Sequence, residues 1–259
     1  MPSLLTWRLW RALRSPEAGN TVFERVQGQP IDLPGKRLLT RFSPVARVIA
    51  IVLPAIVVVI APVALLLASN LLGALIAFNI MSTIQRERDQ RTYELIALTP
   101  MGLGRVNWLI ASACTQRLNA VDRLAQFRTL AIITLVLLVF YVFRNGLPAV
   151  GALLLILLAL NLDAIQSLIV GCLSGMLAQG FREQGAPYAA LAIFAFVQII
   201  LVYLPITAAG VVLYDLLRPT RRSAWNVYAG IALALLALSF VLREAIIQAI
   251  WRTLERSLL

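Results

Sequence analysis

Few residues in this sequence are equipped for chemistry, and their types narrow it quickly. Histidine is absent, which removes the commonest general base and metal ligand together. The two cysteines, Cys114 and Cys172, sit in separate segments without CxxC spacing. That spacing supports no zinc site, thioredoxin-like site or disulfide framework. Gly35-Lys36 is followed by Arg37, where a P-loop needs Ser or Thr, and the glycine spacing is wrong for one. Gly102-Leu103-Gly104 is too little for a dinucleotide fingerprint. There is no paired-carboxylate motif and no nucleophile constellation. The expectation is a chain with no catalytic residue, no bound metal and no cofactor.

Asp163 is the sharpest of the remaining polar features. It is the only charge in the reach from Asn145 to Phe181. A charge at mid-bilayer costs at least about 2.5–3.5 kcal/mol, so such residues line a pathway or find a partner. Gln166, three residues on, shares its helix face, and Asn161 and Ser167 add polarity nearby. Asp163 and Gln166 form the candidate pathway or dimer-interface pair. Two plainer readings stand beside it. One is a protonated, hydrogen-bonded packing residue; the other is a turn at the membrane surface. Gly171-Cys172-Leu173-Ser174-Gly175 is a small-xxx-small pattern that favours close helix packing within the fold.

The elements that hold these residues are apolar. The chain is 60% hydrophobic and only 14% charged, with a mean hydropathy of +0.85. Soluble domains are nearer about 45–50% apolar and about 25% charged, so an ordinary soluble enzyme is excluded. The net charge is +11, but the basic residues lie between apolar runs. That placement suits a membrane protein, not a nucleic-acid binder. The fold class expected is all-α: a polytopic membrane protein of six transmembrane helices. The spans fall near 46–67, 70–85, 122–143, 149–179, 187–214 and 223–243. Residues 1–45 form a cytoplasmic or interfacial segment ahead of a transmembrane domain over 46–259.

Several details refine that layout. Residues 48–85 carry no charge and fit a hairpin turning at Ser69-Asn70, with Pro54 and Pro62 bending its first span. Asn119 with Asp122 marks a helix start for the third span. Pro205 offers a division of 187–214 into a span and a re-entrant piece. A turn at Asn161-Leu162-Asp163 gives seven spans instead of six. Leu4–Leu13, with Trp7, Trp10 and arginines at every third position, suits an interfacial helix. Ile246, Ile247, Ile250, Trp251, Leu254 and Leu258 form a helical stripe opposite Arg252, Glu255 and Arg256. With six spans, nineteen of the 23 basic residues fall on the side of the N-terminus and the 86–128 loop. Only Arg144, Arg218, Arg221 and Arg222 fall on the other. The positive-inside rule then places both termini and that loop in the cytoplasm, with the chain multi-pass in the cell membrane.

One segment says more than "membrane". Ile84–Gly102 follows the second span directly and reads Ile-Gln-Arg-Glu-Arg-Asp-Gln-Arg-Thr-Tyr-Glu-Leu-Ile-Ala-Leu-Thr-Pro-Met-Gly. Arg86, Glu87, Arg88, Asp89, Arg91 and Glu94 mix both signs, as a solvated helix does. Leu95, Ile96 and Leu98 give it an apolar side. Pro100 disfavours helical geometry at Thr99 and ends the helix there. The expectation is a short, charged, amphipathic helix on the cytoplasmic surface. Val106, Leu109, Ile110, Ala113, Cys114, Leu118, Val121 and Leu124 then keep helical spacing in a segment lying on or entering the membrane.

This segment resembles the first cytoplasmic loop of ABC-2 type ATP-binding cassette transporter permeases, whose recurring form is roughly I-x-R-E-R-E-x-G-T-x-E-L-L-L-x-T-P. The match runs over Ile84, Arg86, Glu87, Arg88, Thr92, Glu94, Leu95, Thr99 and Pro100, with Asp89 and Ile96 as close substitutes. The resemblance implies that the segment is a coupling helix seated in a groove of a partner ATPase. Its contact set here is Arg86, Glu87, Arg88, Asp89, Thr92, Tyr93, Glu94, Leu95, Leu98, Thr99 and Pro100. Exposed ion pairs are worth about 0–1 kcal/mol each. Leu95 and Leu98 are therefore expected to carry the docking energy, while the charges set register. The resemblance also implies two ATPase subunits and a second permease copy or paralogue in the same bilayer. The chain departs from the pattern at Arg91, where the family usually has glycine, and at Ala97, where leucine is common. The stretch 105–127 is also longer and more polar than the family's.

The leading expectation is the permease subunit of an ABC-2 type transporter, with export the favoured direction and no catalysis of its own. The alternatives are a non-transporting structural subunit of a larger membrane complex and a proton-coupled secondary transporter using Asp163. Against the last stands the lack of an inverted repeat.

Overall fold

A computed structural model describes residues 5–14, 21–28, 54–93, 102–118, 147–181, 185–217 and 224–258. Every element among them is helical. Among the described residues, four helices are long and apolar enough to cross a membrane, within Leu66–Asp89, Leu158–Gly180, Ala186–Leu216 and Leu233–Arg256. The third span near 122–143, the start near Asn119 and Asp122, and the basic group at Arg218, Arg221 and Arg222 lie outside the described residues.

The centre is α3, Pro54–Asp89, a single helix of 36 residues. At 1.5 Å per residue it is about 54 Å long, well beyond the roughly 30 Å of a hydrocarbon core. It runs straight through Ser69-Asn70, so the hairpin expected there is not formed. The polar pair needs no turn because it is satisfied in place. Ser69 Oγ and Asn70 Nδ2 both donate back to the Leu66 carbonyl, at 2.9 and 2.7 Å, as such side chains do inside helices.

Helix α5, Leu147–Leu177, packs along α3 and ends in a 3₁₀ turn at Ala178–Gly180. It too is continuous, so the turn at Asp163 does not occur and the carboxylate sits inside a helix. The small-residue pattern brings the two helices together. A Cβ on Gly171 would lie 2.3 Å from the Gly73 carbonyl oxygen, and one on Gly175 would lie 2.9 Å from that of Ala77. Backbones approach this closely only where side chains are missing.

Three further elements close one end of the bundle. Helix α4, Gly102–Arg117, returns antiparallel to α3: Tyr93 meets Asn107, Thr83 meets Cys114, and Asn79 meets Arg117. Of its expected stripe, Val106, Leu109, Ile110, Ala113, Cys114 and Leu118 are all buried. Helix α1, Leu5–Arg14, is amphipathic as expected, but its apolar face is not left for lipid. Thr6, Leu9, Trp10 and Leu13 are buried against α4, α5 and the last helix. Trp7 and Ala12 stay outside with the arginines. Helix α2, Thr21–Gln27, packs on α4.

The remaining helices are the most exposed. Helix α6, Ala186–Phe196, passes through a π-helical stretch at Val197–Tyr203 into α7, Leu204–Leu217. Pro205 ends no span; helical structure continues across it. A proline cannot donate to the residue four back. The ladder has already widened ahead of it, and the Leu204 N–H reaches the Ile199 carbonyl, five residues back. Helix α8, Ala224–Leu258, joins the last span and the C-terminal stripe in one rod. Ile247, Ile250 and Leu254 are its buried face. Glu244 on α8 reaches the start of α1, accepting from the Leu5 N–H at 2.8 Å and from the Thr6 hydroxyl. A carboxylate there complements the unpaired N–H groups of the helix start.

Candidate functional site

The charged motif lies at the closed end. Its first half is not a separate helix: Ile84–Asp89 is the last stretch of α3, and the chain turns at Gln90-Arg91 before helical structure resumes at Thr92. The turn has a specific cause. Arg91 has φ 57°, among the described residues the only non-glycine with positive φ. This is the left-handed conformation that glycine adopts most easily at a helix end. The Arg91 N–H donates to the Arg88 carbonyl at 2.8 Å, the inner bond of a Schellman cap. The Thr92 hydroxyl lies 3.0 Å from the Glu87 carbonyl and 2.5 Å from its carboxylate. Arg91 therefore holds, without being glycine, a backbone shape that glycine adopts most easily.

The side chains around this turn divide into two sets. Glu87 is buried at 1% exposure. Its carboxylate faces Thr92 and, at 3.4 Å, the Arg25 guanidinium on α2. Arg25 also donates to Gln90 at 2.9 Å, bracing the turn from outside. Tyr93 is buried as well. Its hydroxyl donates to Asn107 Oδ1 at 2.8 Å, and Asn107 Nδ2 donates to Gln179 Oε1 at 2.6 Å. Burial pushes the Tyr93 phenol above its ordinary pKa, opposed by Arg88, whose guanidinium stands 5.1 Å over the ring. Glu87, Thr92 and Tyr93 thus hold the turn from within, whereas Asp89 and Arg91 are exposed and Arg86 and Arg88 half-exposed. Glu94, Leu95, Leu98, Thr99 and Pro100 lie outside the described residues.

No family model, curated protein or solved structure matches this chain.

The second polar constellation sits farther up α5. From Gln179 back to Asp163 is about 24 Å of helix. Asp163 meets Arg243, a residue that the charge pattern assigns to the cytoplasmic flank of the last span. Arg243 is 1% exposed, and its Nη2 lies 2.5 Å from Asp163 Oδ1. Its Nη1 donates to the Asp163 carbonyl at 3.1 Å and to Ser167 Oγ at 3.2 Å, and the Tyr203 ring stands 5.4 Å from it. Arg243 is thus an internal residue. The signal was in the helical stripe: it precedes Ile247 by four residues and Ile250 by seven, on the face that is buried.

Neighbouring helices complete the cluster. Asn70 Nδ2 donates to the Tyr203 hydroxyl at 2.6 Å, and Ser167 Oγ lies 3.4 Å from Asn70 Oδ1. Gln198 Nε2 donates to Ser167 Oγ at 3.1 Å. Residues five apart on an α-helix point about 140° from each other. The i to i+5 hydrogen bonding of the π stretch narrows that angle, and both Gln198 and Tyr203 reach the cluster. Gln166 is buried on the same face as Asp163, its Nε2 3.5 Å from the Phe240 carbonyl. The structure brings the expected pair together and adds Arg243, Ser69, Asn70, Gln198 and Tyr203.

Proposed function

We propose that this chain is the membrane-spanning subunit of an ABC-2 type ATP-binding cassette transporter, with segment 86–100 as the contact for a separate ATPase. What supports the reading is the turn at Arg91. It takes the left-handed geometry at the motif's glycine position, and it is tied by Tyr93, Asn107 and Gln179 to the end of α5. A push on the exposed face at Asp89 and Arg91 is then transmitted to two long rods, α3 directly and α5 through the hydrogen bonds. In this reading ATP closes the partner dimer, the handle moves, and the permease interface with a second copy or paralogue alternates access. The membrane is the cell membrane, the handle is cytoplasmic, and export is the direction of transport.

The paired state of Asp163 weighs against proton coupling. Its guanidinium partner at 2.5 Å accounts for a carboxylate inside the span without any proton transfer. The test of the reading is co-purification of the tagged chain with an ATPase, with and without Leu95→Asp and Leu98→Asp. The expected result is an ATP-binding cassette ATPase recovered with the wild type and lost with the double variant. An associated ATPase that stays bound despite both changes overturns the coupling-helix assignment.

A further inference from the structure

A cavity of about 640 Å³ opens between α3, α5, α8 and the segment from Tyr203 to Ile206. Leu66, Leu160, Leu162, Ile206, Leu236 and Phe240 give it apolar walls, and its polar side chains are Asp163, Gln166, Tyr203 and Ser239. An apolar hollow with a few converging polar groups is the usual form of a small-molecule site. Its volume equals on the order of twenty water-sized volumes at about 30 Å³ each, room for a hydrocarbon chain with a small head.

The charges decide what head fits. Asp163 faces the cavity, its side chain 12% exposed, while Arg243 behind it is 1% exposed. Oδ1 is engaged by the guanidinium. Oδ2 has only a long contact, 3.5 Å, from Ser69 Oγ, and keeps lone pairs for a donor. An anionic head would meet a carboxylate oxygen at contact distance. A cationic head would leave an uncompensated positive charge, because Arg243 already neutralises Asp163, and an unpaired charge in an apolar site is costly. A neutral hydroxyl avoids both penalties and supplies the missing donor. We infer that this cavity binds a neutral, single-chain amphiphile whose hydroxyl head donates to Asp163 Oδ2, a monoacylglycerol being the simplest of the class.

This goes beyond the coupling reading and stands apart from it, since binding requires neither nucleotide nor partner. The full chain is reconstituted in phosphatidylcholine liposomes, where no detergent competes. It is irradiated with a monoacylglycerol carrying a diazirine in its chain, and the adducts are mapped by mass spectrometry. The expected adducts fall within 158–166 and 233–240. Unlabelled monoacylglycerol is expected to displace the probe at least about tenfold better than the fatty acid or the alkyltrimethylammonium of equal chain length. Ala159→Trp, which fills the cavity from α5, is expected to cut labelling about tenfold. Adducts elsewhere, labelling unchanged by Ala159→Trp, or displacement by the fatty acid or ammonium as good as by the monoacylglycerol overturns the proposal. The competition uses the wild-type protein, so the outcome does not depend on the variant folding.

Discussion

Arg243 Nη2 stands 2.5 Å from Asp163 Oδ1, joining α8 to α5 inside two helices that are each able to cross a membrane. Breaking a buried pair from one side strands the other charge and typically costs about 3–5 kcal/mol, whereas replacing both partners with apolar residues is often close to neutral. Arg243→Leu is therefore expected to lower the thermal midpoint strongly. Asp163→Leu alone is expected to do the same, and the two changes combined to recover most of the loss. Melting curves in one detergent measure this; a double variant that is simply the sum of its singles shows the two side chains to be uncoupled.

Gly171 allows the closest approach of α3 and α5. Its hypothetical Cβ falls 2.3 Å from the Gly73 carbonyl, while a Cβ on Gly180, at the end of the same helix, meets nothing within 4 Å. Gly171→Ala must push backbone against backbone, and overpacking of this kind costs about 1–3 kcal/mol. Gly180→Ala is expected to be nearly silent. Thermal midpoints of the two variants, differing only in position, test the packing of the central helix pair.

The turn after α3 gives a prediction of opposite sign. Left-handed geometry costs a non-glycine residue about 1–2 kcal/mol, offset in part by the larger chain entropy that glycine loses on folding. Arg91→Gly is expected to stabilise the chain by a net of about 0.5–1 kcal/mol. Arg91→Val, β-branched at positive φ, is expected to destabilise it. Denaturation of both variants against wild type decides whether the turn has the conformation described.

Tyr93 carries a pH dependence. Burial raises its phenol above the ordinary value of about 10, so the native state keeps a proton that the unfolded chain releases. The stability from this neutral phenol is fully present below about pH 10. It is lost as pH rises through the elevated native value. Tyr93→Phe removes the donor to Asn107 and is expected to cost about 1 kcal/mol near neutrality. Stability of that variant is expected to fall less steeply with pH above 10, as a series of alkaline melts will show.

How much of this was legible in the sequence depended on whether a pattern was local. The stripe of α4, the C-terminal stripe of α8 and the small-residue packing of α5 are periodicities within one helix, and Val106, Ile110, Cys114, Ile247, Ile250, Leu254 and Gly171 are buried or close-packed as such periodicities require. The hairpin at Ser69-Asn70 failed because polarity alone does not make a turn: both side chains bond to their own helix and then to Asp163 and Tyr203 across the bundle. Arg243 looked like a flank because it begins the charged tail of α8. Only a partner 80 residues away on another helix makes it internal. The division of the motif into an inward set and an outward set was equally hidden, because Glu87 is held by Arg25 on a helix far off in sequence.

The most direct test of the handle is to photocross-link from its exposed face. A benzophenone amino acid at Asp89, exposed at the end of α3, is irradiated in intact membranes and in membranes supplied with ATP. The expected product is an adduct with an ATP-binding cassette ATPase whose yield changes with nucleotide. An adduct with no ATPase in either condition, or labelling of position 89 only by reagents confined to the cell exterior, contradicts it.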